Sequence, residues 1–288
     1  MTEPPAVAAP RRRQRLVRPR GKRGGAKHRK VAKSTASATE HAKIIAQYHA
    51  LEKQIARAPP NERARLIAEQ RALGGLAAYQ DQSTTGGAVL RGGESGKWCV
   101  KVLKEIWPLS RKIQLLDVGA IAGTAYAAWP GLVQATSIDL HPRAEHVIAS
   151  DFFDFPVPMD DAQTYDVVGL SLVLNFVGDL HRRGAMLMHA HQYLRAGGYV
   201  YVVLPLACVS NSRYMTHEHF RAIVQSMGYD VVRQEDSLRL TRWLLQQRDP
   251  KASEAGHHDI SLFWDGTIFK KRELRAGAQR NNFCILYP

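Results

Sequence analysis

The sequence predicts an α/β fold in which a mostly parallel sheet carries helices on both faces. Three observations predict it. Short apolar runs recur from Ile113 onward, stretches of helical character separate several of them, and the first run ends in an acid followed by a glycine turn. Apolar runs of that length fit strands buried on both faces, and their alternation with helices implies parallel crossover connections.

Taken in order, strands are expected at 113–118, 135–139, 147–150, 165–171 and 199–205, with a sixth at 229–233 and an apolar terminal strand at 283–287. Helices are expected at 183–194 and 217–227, and one at 96–107 leads into the first strand. The stretch 238–282 is ambiguous, and 263–271 within it reads as another strand or an insertion. Upstream, Ile44, Ile45, Tyr48, Leu51 and Ile55 recur at helical spacing until Pro59 and Pro60 break the pattern. A second helix at 63–73 is stopped by Gly74 and Gly75, so the two predict a helical hairpin that packs on the main domain. Residues 74–93 are rich in Gly, Ser and Thr and read as a long structured loop, a kind often functional. The plan is therefore a disordered basic tail at 1–37, a helical N-terminal extension with its Gly-rich loop at 38–110, and the main domain at 111–288. No internal repeat is evident.

Charge is unevenly placed. Of the formal net charge of +14, the first 33 residues carry +11, from twelve Lys or Arg against the single acid Glu3. The tail is the polyelectrolyte and the body is mildly basic. Such a tail neutralises phosphates and releases their counterions, or serves as a nuclear or nucleolar address. A mitochondrial presequence is the rival address, but Pro19, Gly21, Gly24 and Gly25 and the lack of an apolar face make a poor amphipathic helix. No signal-peptide core or membrane span is expected. Cys99, Cys208 and Cys284 are scattered and odd in number, which argues against a disulfide framework or a zinc site and fits a reducing compartment. No metal is expected.

The chemistry centres on Leu115-Leu116-Asp117-Val118-Gly119-Ala120-Ile121-Ala122-Gly123. A strand ends in Asp117 and turns through Gly119 and Gly123, expected to lead into a helix. Without a Cβ the backbone there can approach a ligand. Asp139 follows at the end of the second strand, placed to accept both ribose hydroxyls of a nucleoside-type cofactor. A dinucleotide wants a glycine where Ile121 stands, because its pyrophosphate sits on the helix N-terminus. S-adenosylmethionine (SAM) has no pyrophosphate, and its ammonium suits an acid such as Asp117, directly or through water. After the third strand, Asp151 can accept from an adenine amino group and Phe152 can cover the ring, although Asp151 is also of a type that caps helices. Ser171 through Phe176 follow the fourth strand, beside the cofactor and facing the substrate. There Asn175 offers a donor and an acceptor and Phe176 a stacking face, with ordinary loop packing the alternative for both. Arg213 and Tyr214, beyond the fifth strand, are candidates for RNA phosphate and base contact, a satisfied loop being the alternative.

Asp117-Val118-Gly119, Ser137-Ile138-Asp139-Leu140, Ser171-Leu172-Val173-Leu174-Asn175-Phe176-Val177, and Leu204-Pro205-Leu206 through Ser210-Asn211-Ser212-Arg213-Tyr214 resemble the fungal nucleolar methyltransferases that make N1-methyladenosine in large-subunit ribosomal RNA. Gly74-Gly75 with Tyr79-Gln80, Arg91-Gly92-Gly93 and the ending Asn281-Asn282-Phe283 look like the same family. The resemblance covers roughly 74–287, and its motifs after strands four and five are more specific than the glycine turn. It implies a class I, Rossmann-like methyltransferase fold, SAM as methyl donor, large-subunit ribosomal RNA as partner, and residence in the nucleus and nucleolus. Gly119 and Asp139 match its cofactor motif most securely, and no catalytic base carries over. Rival readings are a non-catalytic SAM sensor acting through a protein partner, a methyltransferase of protein or small molecules, and, disfavoured by Ile121, a nicotinamide dehydrogenase.

Overall fold

The computed structural model describes residues 47, 50, 51, 54, 55, 58–72, 93–108, 110–248 and 259–287, all within His41–Pro288. The basic tail, most of the first helical pattern and the Gly-rich stretch at 74–92 lie outside them, and the expectations for those segments with them.

Helix α1, Pro60–Ala72, starts on a proline, whose missing N–H costs nothing there, with Glu62 in the first turn and Arg71 in the last, as the helix dipole favours. Its Leu66 shares a small apolar cluster with Leu51, Ala58 and Ile55. Helix α2, Gly93–Ile106, buries Trp98, Cys99, Val102 and Leu103, one stripe at helical spacing, against the sheet.

Seven strands make one sheet: β1 (Ile113–Val118), β2 (Val133–Asp139), β3 (Ile148–Ala149), β4 (Tyr165–Ser171), β5 (Leu194–Pro205), β6 (Tyr229–Asp236) and β7 (Leu240–Gln247). Their order is β3-β2-β1-β4-β5-β7-β6. Neighbours from β3 to β5 are parallel, whereas β7 runs antiparallel between β5 and β6. Side chains alternate between two cores. Val168 and Leu170, Val200, Val202 and Leu204, and Trp243 and Leu245 face helices α3 (Leu180–His189) and α4 (His217–Ser226). On the other face, Ile113, Leu115, Val167, Tyr201, Val203 and Leu244 pack with α2. Burial on both faces explains why the strands read as continuous apolar runs. The winding reverses between β1 and β4, and ligands in such sheets bind at the strands' carboxyl ends where it does so.

Two sequence expectations fail locally, and one stretch left open by the sequence is resolved. No helix follows Gly123; 119–132 is a chain of tight turns, closed by bonds such as Gly123 N to Ala120 O at 2.9 Å and Trp129 N to Tyr126 O at 3.0 Å. Pro130 comes too soon after Gly123 for a helix to repay its nucleation. The ambiguous 238–282 stretch contains β7, and 263–271 is neither strand nor helix beyond the short 3-10 turn Ile260–Phe263. The 283–287 run is buried but irregular, not a strand.

The segment 270–287, which ends in that run, crosses the loops beyond β4 and β5 as a strap. Buried Arg183 of α3 donates to Val177 O at 2.8 Å and Cys284 O at 2.6 Å, and its guanidinium lies 4.7 Å from the Phe283 ring centre. Arg275 donates to the carbonyls of Val209, Ser210, Ser212 and Met215, at 2.6 to 3.1 Å. Asn281 adds a bond from Nδ2 to Ala207 O at 2.6 Å, and Ser212 Oγ donates to Phe283 O at 2.6 Å. Gly184 sets the approach of α3: a Cβ there would sit 2.4 Å from Leu286 O. On an exposed helix, Gly→Ala stabilises by up to ~1 kcal/mol. Here Gly184→Ala is expected to destabilise by about 1–3 kcal/mol, because backbone must move. Urea denaturation checks the sign, and a stabilised variant would contradict the close approach.

Candidate cofactor and substrate site

The glycine turn lies at the carboxyl end of β1, held to β2 by bonds from Gly119 N and Ala120 N to Ile138 O at 2.9 and 3.0 Å. Gly119 and Gly123 both adopt left-handed conformations, φ +71° and +63°. A Cβ on Gly119 would come within 2.9 Å of Val173 Cγ2, so the turn lies close to the loop after β4. Two residues with side chains share the left-handed region, Ile121 (φ +50°) and Leu172 (φ +60°). For a β-branched residue that conformation is strained, and strain of this kind gathers at functional sites.

Asp139 holds Ile121 in place. Its Oδ2 accepts from Ile121 N at 3.0 Å and its Oδ1 from His141 N at 2.8 Å. The acid expected to bind ribose therefore also ties the β1 turn to the end of β2. Asp117 is 4% exposed. Burial above all, and then the charge of Asp139, raise its pKa to about 7. A buried acid in this state favours a cation as its neighbour. A ligand ammonium would draw the proton off, so ligand binding around pH 6–7 is expected to release a proton. Affinity should then fall toward tenfold per pH unit below about 7. Calorimetry of SAM binding in buffers of differing ionisation heat reads this directly; Asp117→Asn should abolish the proton release, and release that persists in the variant would contradict the assignment.

The remaining candidates divide. Asp151 accepts from Phe153 N at 3.0 Å and pairs with Arg182 at 2.8 Å. Phe152 goes into the core, stacked on Tyr193 at 5.1 Å and edge-on to His189 at 4.9 Å. Its ring packs in the core against these two side chains. Ser171 ends β4, and Phe176 is half-buried against the α2-side core. Asn175 lies between them and the next loop with its Oδ1 buried and unpartnered. A buried acceptor without a donor costs about 1–3 kcal/mol, which a ligand donor could recover.

Arg213 is turned toward the strap: it donates to Asn282 Oδ1 at 2.6 Å and Gly277 O at 3.0 Å. The expected phosphate ligand is thus engaged by protein groups. Tyr214 carries Lys271 Nζ 4.6 Å from its ring centre. Sequence reasoning missed Arg183 and Arg275, whose partners are backbone carbonyls and leave no sequence signal; the strain at Ile121 was equally invisible. Among the described residues, no group of three or more His, Cys, Asp or Glu gathers as a metal site, and no helix is long and apolar enough to cross a membrane.

A sheet in the order 3-2-1-4-5-7-6 with its seventh strand antiparallel, a glycine turn after β1 and an acid ending β2 define a class I SAM-dependent methyltransferase fold. Comparison with known sequences makes this specific. The chain belongs to the Bmt2 family, described as 25S rRNA (adenine(2142)-N(1))-methyltransferase, whose profile matches residues 64–285. It is 32% identical over 175 residues to the 25S rRNA (adenine(2142)-N(1))-methyltransferase of Saccharomyces cerevisiae, a match covering 60% of this chain and 52% of that protein. It thus spans about half the length of that relative. The 25S rRNA adenine-N(1) methyltransferase of Schizosaccharomyces pombe is 27% identical over 262 residues, covering 85% of this chain and 91% of that one. Among solved structures, the 1,6-didemethyltoxoflavin-N1-methyltransferase of Burkholderia thailandensis superposes with a TM-score of 0.46 at 17% identity, over 67% of this chain and 92% of that chain.

Proposed function

We propose that the protein transfers a methyl group from SAM to N1 of an adenine in large-subunit ribosomal RNA, and that it works in the nucleolus. Family membership and the names of both fungal relatives support the reaction and substrate. The observation that carries the cofactor is the acid pair at the switch point: buried Asp117 beside Asp139, at a glycine turn. These residues fit a nucleoside bearing a cationic amino-acid tail, with Asp139 for the ribose hydroxyls and Asp117 for the ammonium.

SAM supplies an electrophilic methyl group on a sulfonium. Adenine N1 has an in-plane lone pair, so the chain has no proton to remove and its work is positioning. Asn175 Oδ1 accepts from the exocyclic amino group next to N1, which satisfies the buried acceptor. Phe176 or Tyr214 offers a ring for the base to stack on; Lys271 already occupies one face of Tyr214. Because N1 lies on the pairing edge, the target adenine must be unpaired or extruded.

The test incubates the purified protein with labelled SAM and unmodified large-subunit ribosomal RNA, then digests the RNA and identifies the modified nucleosides. N1-methyladenosine that disappears in Asp139→Ala is the expected result. SAM binding without label in RNA would overturn the reading in favour of a SAM-binding regulator. Asn175→Ala should lower turnover and leave SAM affinity unchanged; unchanged turnover removes Asn175 from the mechanism.

A further inference from the structure

The strap carries an unneutralised basic run. Lys270, Lys271 and Arg272 are consecutive and exposed, and among the described residues none of them pairs with a carboxylate. From 270 to 280 the strap holds five Lys or Arg against the single acid Glu273. Two of the five are engaged: Arg275 with four carbonyls, and Arg280 with Ala276 O at 2.9 Å. The other three point their charge at solvent or, for Lys271, at the Tyr214 ring.

Position gives the run meaning. Arg213 O accepts from Leu274 N at 2.7 Å, which pins the end of the run to the loop beyond β5. Phe269, just before it, meets His219 of α4 edge-on at 5.4 Å. The cations are therefore anchored on both sides, at the carboxyl-end edge of the sheet, next to the ring of Tyr214. Like charges held together without counter-charges repel one another and are stabilised by a polyanion. Arg213, the cation expected for this task, already donates to Asn282 Oδ1 and Gly277 O.

We propose that Lys270, Lys271 and Arg272 form a phosphate-binding ridge that holds the RNA backbone flanking the target base. This rests on the RNA-methylating reading and adds to it a surface that the Arg-rich N-terminal tail does not supply. A ridge fixed beside the site sets where the strand enters.

The test uses full-length protein carrying Lys270→Ser with Arg272→Ser; Lys271 is left in place because of its contact with Tyr214. Binding of a fluorescein-labelled single-stranded RNA from the large subunit is followed by anisotropy as salt is varied. Loss of two phosphate contacts should make the slope of log K against log salt shallower by about 1.4–1.8 and weaken binding roughly tenfold at low salt. In the methylation assay KM should rise by a similar factor with kcat and SAM affinity unchanged, and Lys270→Arg with Arg272→Lys should behave as wild type. An unchanged slope and KM would overturn the ridge. Salt-dependent binding that the double variant weakens, in a protein that never methylates RNA, would sink the methylating reading and keep the ridge; wild-type protein that fails to bind RNA overturns both.

Discussion

Asp139→Ala should lower SAM affinity by roughly 100-fold or more. A carboxylate accepting two ribose hydroxyls makes two charge-assisted bonds, each worth about 1.5–3 kcal/mol. In the protein alone the same oxygens receive Ile121 N and His141 N, so removal also frees the turn that carries Gly119 and Gly123. Ile121 is held in the left-handed region partly by that bond and would relax. The variant should therefore lose affinity twice over, through missing acceptors and through a turn no longer preset. Asp139→Asn, which keeps one acceptor, should fall between. Calorimetry with S-adenosylhomocysteine provides the measurement, and an affinity within threefold of wild type would rule out the ribose assignment.

The largest effect on stability is expected at the other end of the strands. Asp166, 1% exposed, accepts from both guanidinium nitrogens of Arg111 at 2.6 Å each, from Gln114 N at 2.8 Å, and from Arg195. This one carboxylate joins the start of β4 to the approaches to β1 and β5. Asp166→Ala leaves two cations and a strand N–H without their acceptor. Breaking a buried pair costs about 3–5 kcal/mol, but both arginines reach solvent and can rehydrate, so about 2–4 kcal/mol is expected. Arg111→Ala or Arg195→Ala alone should cost about 1 kcal/mol, since the other arginine remains. Chemical denaturation measures all three. SAM affinity at permissive temperature should not move, because the cluster lies opposite the ligand end; an affinity loss without a stability loss would contradict this division of labour.

The sheet was legible where strands are buried on both faces, because a continuous apolar run is a direct consequence of that burial. It was illegible at β7, where Thr241, Arg242, Gln246 and Gln247 interrupt the pattern although Trp243, Leu244 and Leu245 are fully buried. The 283–287 run shows the opposite failure. Its apolar residues are buried, but Leu286 N bonds to Leu180 O in α3 instead of to a neighbouring strand, and apolarity alone cannot tell the two situations apart. At the site, Asp117, Gly119 and Asp139 could be read from spacing, because strand ends fix where such residues fall. Phe152 and Arg213 could not, because spacing places a residue on a loop and says nothing of which way it turns. Phe152 stacks on Tyr193 in the core, and Arg213 donates to Asn282 Oδ1 of the strap.

The strap also fixes an order of events during synthesis. The strands from β1 to β7 are complete by Gln247, so the sheet can pair while the strap that follows is still to be made. The loops beyond β4 and β5 then still lack Arg275, Asn281 and the carbonyls of Phe283 and Cys284 that hold them. A nascent chain would reach the cofactor-binding half of its site first and the substrate-facing half only when residues 275–284 emerge.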